Sequence, residues 1–334
     1  MIFNQFEFLF LFLPIVVVLF FAPWTRRARL ELLLASLMFY GFSGIEHLVV
    51  LMCEITWVYI VTMSTRTVKS RWRLALAVIP PVLALLYYKY TAFLVRDVLG
   101  FAPEDNHAVF DLFTNVVLPA GISFFTFHLV SFAIGRYRGV IDPSPSFRAL
   151  ALYTAFFPQL VAGPILRFNQ VKDSIRRLGE FRLAASDAGK AASYIVFGLA
   201  AKVLIADTLG HYLKPLTARP TDLDPIAALY VLFGYSFRMY FDFYGYSLAA
   251  IGLGLIFGFT FPKNFLGPYD SRNPRDFWRR WHTTLSYWLR DYLYIPLGGN
   301  RSYRRNILIV FAICGYSMAR GGPSSSGAST TPPW

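Results

Sequence analysis

Charge is what this sequence has least of. Asp, Glu, Lys and Arg make up 15% of its 334 residues, against about 25% in an average soluble domain. Hydrophobic residues reach 56% and the mean hydropathy is +0.47, more apolar surface than one core can absorb. A soluble globule is excluded on these grounds, and a polytopic membrane protein with the bilayer as its solvent is expected. Cysteine is almost missing. Cys53 and Cys314 both lie in apolar runs, where buried free thiols are expected rather than a disulfide, and no metal-ligand spacing occurs. Neither a G-x-S-x-G elbow nor a Walker A loop is present, which removes the commonest serine-hydrolase and nucleotide-hydrolase readings. There is no evident internal repeat, so the inverted-repeat argument for a secondary transporter finds no support. The opening "MIFNQFEFLFLFLPIVVVLFFAPWTRR" lacks the basic start and small-residue cleavage site of a signal peptide. It reads as a retained first helix, N-terminus outside, with Arg26, Arg27 and Arg29 holding its other end inside.

What charge there is has one dominant sign, with a formal net of +13. The basic residues come in bursts between apolar runs: Arg26, Arg27 and Arg29; Lys69, Arg71 and Arg73; Lys172, Arg176, Arg177 and Arg182. This is the positive-inside pattern of cytoplasmic loops, and no nucleic-acid partner is expected. Candidate spans are 6–23, 30–45, 47–64, 74–92, 114–134, 148–165, 190–213, 225–259 (as two helices) and 306–318. In "FFPQLVAGPI" (156–165) two prolines and a glycine interrupt an apolar run. Non-helical backbone at membrane depth has to be buried in protein or line a cavity, so this segment reads as internal or re-entrant. A Pro-kinked spanning helix is the other reading.

The densest polar stretch is 263–305. Trp278, Trp281, His282, Leu285, Trp288 and Leu289 recur at the spacing of one helix face, with Arg279, Arg280, Thr283, Ser286 and Arg290 mainly opposite. An amphipathic helix at the membrane boundary or inside the protein's own funnel is expected. His282 is either a packed, inert imidazole or a group that takes a proton from an alcohol or thiol near neutral pH. Asp242, in "MYFDFYGYS", is an ionisable residue in an apolar segment. It is either functional or the structural partner of an arginine such as Arg238 or Arg280. "YIPLGGN" (294–300) could cradle a phosphate but reads better as a turn, and Glu54, His128 and Asp207 read as helix–helix hydrogen-bonding groups.

Three stretches taken together, "FFPQLVAGPILR" (156–167), "YFDFYGYSLAAIGLGLIFGFTFPKNF" (240–265) and "RDFWRRWHTTLSYWLRDYLYIPLGGNR" (275–301), resemble the bacterial membrane-bound O-acyltransferases. The likeness is to the alginate O-acetylase branch, with the D-alanyl transferases of teichoic acids as neighbours. "FNQFEFLFLFLPIVVVLFF" and "LPAGISFFTFHLVSFAIGRYRG" (118–139) fit the same branch. The resemblance implies an all-α, polytopic transmembrane bundle around a central funnel over residues 1–316, in the bacterial inner membrane. It implies transfer of an acyl group, expected to be acetyl from acetyl-CoA with no bound cofactor, towards hydroxyls of an exported polysaccharide, with a periplasmic acetyltransferase partner. His282 would be catalytic, placed to orient the donor thioester, with Asp242, Arg279 and Arg280 in support; the two arginines suit either a donor phosphate or a lipid headgroup. D-alanyl or other acyl transfer to a cell-envelope polymer, and a transporter without covalent chemistry, are the competing functions.

The sequence departs from the family's pattern in three places. "GYSL" has Leu248 where an acid is common, Gly135-Arg136-Tyr137-Arg138-Gly139 lacks another acid, and no histidine follows His282, although a second one in a "WHG" segment usually serves as the base. After "ILIVFAICGYS" the chain turns to a polar tail, 317–334, that cannot continue a span. Shifted by one nucleotide, codons for Ser317 to Gly322 can read Leu-Trp-His-Gly-Ala, the ATG of Met318 forcing the tryptophan. A frameshifted or truncated reading of a longer gene is therefore expected, its activity open for want of that second histidine. Sequencing the DNA across codon 317 should reveal that second frame continuing into further apolar spans; a confirmed in-frame polar tail contradicts it.

Overall fold

The computed structural model describes residues 3–22, 28–63, 70–93 and 117–318, apart from 142, 162, 219, 220 and 222. Among these residues there is no strand. The helices are α1 Glu7–Phe21, α2 Ala28–Gly41, α3 Ile45–Met63, α4 Arg71–Phe93, α5 Ile122–Tyr137, α6 Phe147–Ala155, α7 Phe157–Leu160, α8 Phe168–Arg177, α9 Ala185–Thr217, α10 Pro225–Ile256, α11 Pro274–Arg280, α12 Thr283–Leu289 and α13 Tyr303–Met318. Of the expected polar tail, residues 319–334 lie outside the described residues, as do Arg26 and Arg27.

Among the described residues four helices are long and apolar enough to cross a membrane: Ile45–Met63, Arg71–Thr91, Ala185–Thr217 and Pro225–Ile256. Val196, Phe197, Leu204, Ile226, Leu232 and Phe233 all point outward from α9 and the first half of α10, each mostly exposed. Such a surface is stable against lipid tails and costly against water. Cys53, expected to be buried, is exposed on α3. An outward position in an apolar span needs no more than a small hydrophobic side chain, which free cysteine supplies.

The run 225–259, expected as two helices, holds one, Pro225–Ile256. Asp224 caps it, its carboxylate accepting from the Ala227 N–H at 2.8 Å, and Pro225 takes the first helical position. At 32 residues it extends about 48 Å, well over the ~30 Å of a hydrocarbon layer. Its glycines do not break it because they serve close packing. A Cβ on Gly198 of α9 would come within 2.6 Å of the Gly245 carbonyl oxygen, and one on Gly245 would meet the Gly198 carbonyl at the same distance.

The predicted span 148–165 divides. α6 ends at Ala155, a single turn, α7, follows, and 163–167 are non-helical chain leading to α8. Leu150 to Leu160 are all buried, so of the two readings of this run the internal one holds. Phe157 is the hub, its ring 5.5 Å from both Phe12 and Phe39 and 5.8 Å from Phe257, while Phe156 lies 4.4 Å from Phe259. Side chains supply what the interrupted backbone lacks. The Phe157 N–H donates to Ser36 Oγ at 3.2 Å, the Leu166 N–H to His128 Nε2 at 3.1 Å, and Tyr153 Oη to the Leu166 carbonyl at 2.8 Å. His128 thus holds an extended segment, where a partner on another helix was expected. Glu54 meets the helix–helix expectation, accepting from Thr126 Oγ1 of α5 at 3.4 Å.

Inside α9, residues Ala201–Asp207 form a π-turn. Its wider ring brings Lys202 Nζ within 2.5 Å of Asp207 Oδ1, five residues on, and the same ammonium pairs with Asp242 of α10 at 2.8 Å. The partner of Asp242 is therefore Lys202, not Arg238 or Arg280; the π-turn delivers a cation that no 3.6-residue periodicity foretells. Lys202→Met would leave two carboxylates in apolar surroundings without a counter-ion. The expected loss is about 3 kcal/mol of stability, seen as a lowered thermal midpoint in detergent, with partial recovery on adding Asp242→Asn. A Lys202→Met protein as stable as its parent contradicts the pairing.

Candidate functional site

The tryptophan-and-arginine stretch is not one helix. Asn273 caps α11, its side-chain oxygen accepting from the Asp276 N–H at 2.9 Å. The helix stops at Trp281, and His282 follows with φ 42° and ψ 55°. Among the described residues it is the one non-glycine with positive φ. A left-handed conformation costs a residue with a Cβ roughly 1–2 kcal/mol, so neighbouring structure has to impose it. Chain 263–266 does so. The Leu266 N–H donates to the Arg280 carbonyl at 3.0 Å, the Thr283 N–H to the Asn264 carbonyl at 2.9 Å, and Thr283 Oγ1 to the Lys263 carbonyl at 2.7 Å. Helix resumes as α12. The break therefore overturns the single amphipathic helix that the spacing of Trp278, Trp281, His282 and Leu285 implies.

The consequence is a histidine turned into the protein, 2% exposed. Its ring packs edge-on against Phe243 of α10 at 4.7 Å, with Phe265 and Phe124 of α5 each 6.5 Å away. Its Nδ1 lies 3.4 Å from Asn264 Oδ1. Nε2 is buried and has no hydrogen-bond partner. Burial lowers the imidazole's pKa to about 3, so the ring is neutral at physiological pH. A buried polar atom left unpaired typically costs about 1–3 kcal/mol, and such atoms call for a functional account.

Asn264 joins three segments to this ring. Its Oδ1 accepts from Thr284 Oγ1 at 2.6 Å, its Nδ2 donates to Ser247 Oγ of α10 at 2.9 Å, and Thr284 Oγ1 accepts from the Ile165 N–H at 3.0 Å. These three polar residues were missed in the sequence. The available signal was small uncharged polar side chains within otherwise aromatic strings, "GYS", "PKNF" and "HTTLS".

Arg279 and Arg280 do not meet His282. They line a cleft of about 430 Å³ with Arg272, Asn273, Arg275 and Asp276. Arg280 Nε donates to Asp276 Oδ1 at 3.1 Å, and that bond holds the Asp276 carboxyl below its usual range. Four guanidiniums around one carboxylate leave the cleft strongly cationic. Asp242 is adjacent in sequence to Phe243 but is engaged by Lys202. Beyond α12, Asp291 pairs with Arg290 and with Arg167 of the internal segment. Burial works to raise the Asp291 pKa, but the two guanidiniums outweigh it and keep the carboxyl below its usual range. "YIPLGGN" is the expected turn, with Gly298 at φ 100° and Gly299 at φ 55°. Among the described residues no three His, Cys, Asp or Glu side chains gather into a metal site.

The pattern of the membrane-bound O-acyltransferase family matches residues 39–316, a stretch that includes the His282 break, the internal 156–167 segment and α10. The chain belongs to the membrane-bound O-acyltransferase family. It is 37% identical over 328 residues to the "probable alginate O-acetylase AlgI" of Pseudomonas syringae pv. tomato, covering 94% of this chain and 62% of that protein. To the peptidoglycan O-acetyltransferase of Helicobacter pylori it is 33% identical over 358 residues, covering 96% of this chain and 67% of the relative. To the teichoic acid D-alanyltransferase of Bacillus subtilis it is 31% identical over 221 residues, covering 66% and 53%. The chain spans about 60% of the length of the alginate O-acetylases it matches. The all-α architecture and the apolar outward faces agree with membership of a membrane-embedded acyltransferase family.

Proposed function

We propose that this chain acts as an O-acyltransferase of the inner membrane, moving an acetyl group from acetyl-CoA towards hydroxyls of an exported polysaccharide of the alginate type. A periplasmic acetyltransferase would complete the delivery. The reading rests above all on His282, a neutral imidazole held in a phenylalanine-lined interior with Nε2 unpartnered. Beyond orienting the donor thioester, His282 in this reading also serves as base, its Nε2 accepting the hydrogen bond of the attacking hydroxyl. As the hydroxyl oxygen bonds to the thioester carbonyl carbon, negative charge develops beside the ring and makes it more basic, so the proton moves to Nε2. The C–S bond then breaks and the departing thiolate takes that proton. Water excluded from the apolar pocket cannot compete as acceptor. Arg272, Arg275, Arg279 and Arg280 form a cationic cleft suited to the phosphates of the donor, or to lipid headgroups at the membrane surface.

The similarity to peptidoglycan O-acetyltransferase and to teichoic acid D-alanyltransferase supports a second reading, acyl or D-alanyl transfer to another envelope polymer. The test is complementation of a strain lacking the gene with the wild-type gene or with His282→Asn, a substitution that tolerates the left-handed backbone. Ester-linked acetate on the polysaccharide should fall at least ~100-fold with the variant. Unchanged acetylation overturns the role of His282, and loss of D-alanyl esters in place of acetyl esters favours the second reading.

A further inference from the structure

We propose that Asn264 is a positioning residue that fixes His282 as its Nδ1–H tautomer, making Nε2 the working nitrogen. A chain of hydrogen bonds leads to this assignment. The Ile165 backbone N–H can only donate, so Thr284 Oγ1 accepts at 3.0 Å and retains its own proton to give. That proton goes to Asn264 at 2.6 Å, a separation ordinary for O–H···O and short for N–H···O, so the atom facing Thr284 is the carboxamide oxygen. The amide nitrogen must then face Ser247 Oγ, which it does at 2.9 Å. The same oxygen lies 3.4 Å from His282 Nδ1. An amide oxygen has nothing to donate, so Nδ1 carries the hydrogen and Nε2 keeps its lone pair.

Backbone geometry reinforces the assignment. Asn264 sits on the short segment that imposes the left-handed turn, through its own carbonyl's bond to the Thr283 N–H at 2.9 Å. One residue thus sets both where the imidazole points and which of its nitrogens is bare. The rings of Phe243, Phe265 and Phe124 pack around the imidazole. A free imidazole favours the opposite tautomer, with hydrogen on Nε2, so the protein has to supply this preference.

The catalytic meaning rests on the acyl-transfer reading above, but the tautomer itself is measured without any turnover. Protein with 15N-labelled histidine, in detergent or nanodiscs at neutral pH, would be examined by long-range 15N–1H correlation, the His282 signals being those lost in His282→Asn. The expected spectrum shows a protonated Nδ1 and a bare Nε2. Asn264→Ala should shift His282 to the Nε2–H form or a mixture, and Asn264→Asp, which keeps an acceptor oxygen, should restore Nδ1–H. An Nε2–H signal in the unaltered protein overturns the proposal, and so does an unshifted Nδ1–H signal in a folded Asn264→Ala variant. In an acyl-transfer assay, Asn264→Ala should lower kcat more than tenfold with KM little changed, and Asn264→Asp should recover part of it. A protein with the expected tautomers and no transferase activity would refute the proposed function and leave this assignment standing.

Discussion

Everything at the candidate site depends on a clamp of three hydrogen bonds between residues 263–266 and the junction of two seven-residue helices. Without it, α11 and α12 have every local reason to join: the intervening residues carry no proline or glycine, and the aromatic spacing runs straight through them. The clamp occupies the Arg280 carbonyl and the Thr283 N–H, and His282 has to bridge the gap in a left-handed conformation. The same segment carries Asn264, so the local cost of the turn is coupled to the hydrogen bond that orients the imidazole. Strain of this kind persists only where surrounding structure over-determines it, and here α5, α10 and the internal 156–167 segment all close around the break.

A second constraint comes from the surroundings. A protein whose outer surface suits lipid has to satisfy interrupted backbone and buried charge from within. The internal segment does this with side chains from elsewhere in the fold: Ser36 on Phe157, His128 on Leu166, Thr284 on Ile165. Thr284 belongs to both sets, meeting the internal backbone on one side and Asn264 on the other. Two of the stretches that carry the family resemblance, 156–167 and 275–301, are therefore one connected structure through Thr284. Lys202 performs the corresponding service for charge, pairing with both Asp207 and Asp242 between α9 and α10.

Much of this was legible in the residues. Apolar runs located most of the helices to within a few positions, and the prolines and glycine of "FFPQLVAGPI" marked buried irregular chain. The 275–301 block carried the family. What misled was periodicity read without long-range pairing. Trp278, Trp281, His282 and Leu285 fit one helical face, and no local rule announces that chain near 264 will interrupt it. In 225–259 the error ran the other way: two helices were expected where one runs, and its Gly245 is a contact point against α9. Asp242 looked like an arginine's partner because the π-turn that presents Lys202 leaves no mark in a hydropathy pattern. Asn264, Ser247 and Thr284 were passed over because, taken singly, uncharged polar residues say little; their meaning lies in meeting one another.

The clamp is tested most directly by placing glycine and alanine in turn at position 282 and comparing the stability of the two proteins by unfolding in the same detergent. Both variants lack the imidazole, so their difference reports the backbone alone. With His282 in the left-handed conformation, His282→Gly should be the more stable of the two by about 1 kcal/mol. If α11 and α12 formed one continuous helix, His282→Ala would be the more stable by a similar amount, and that result would contradict the account.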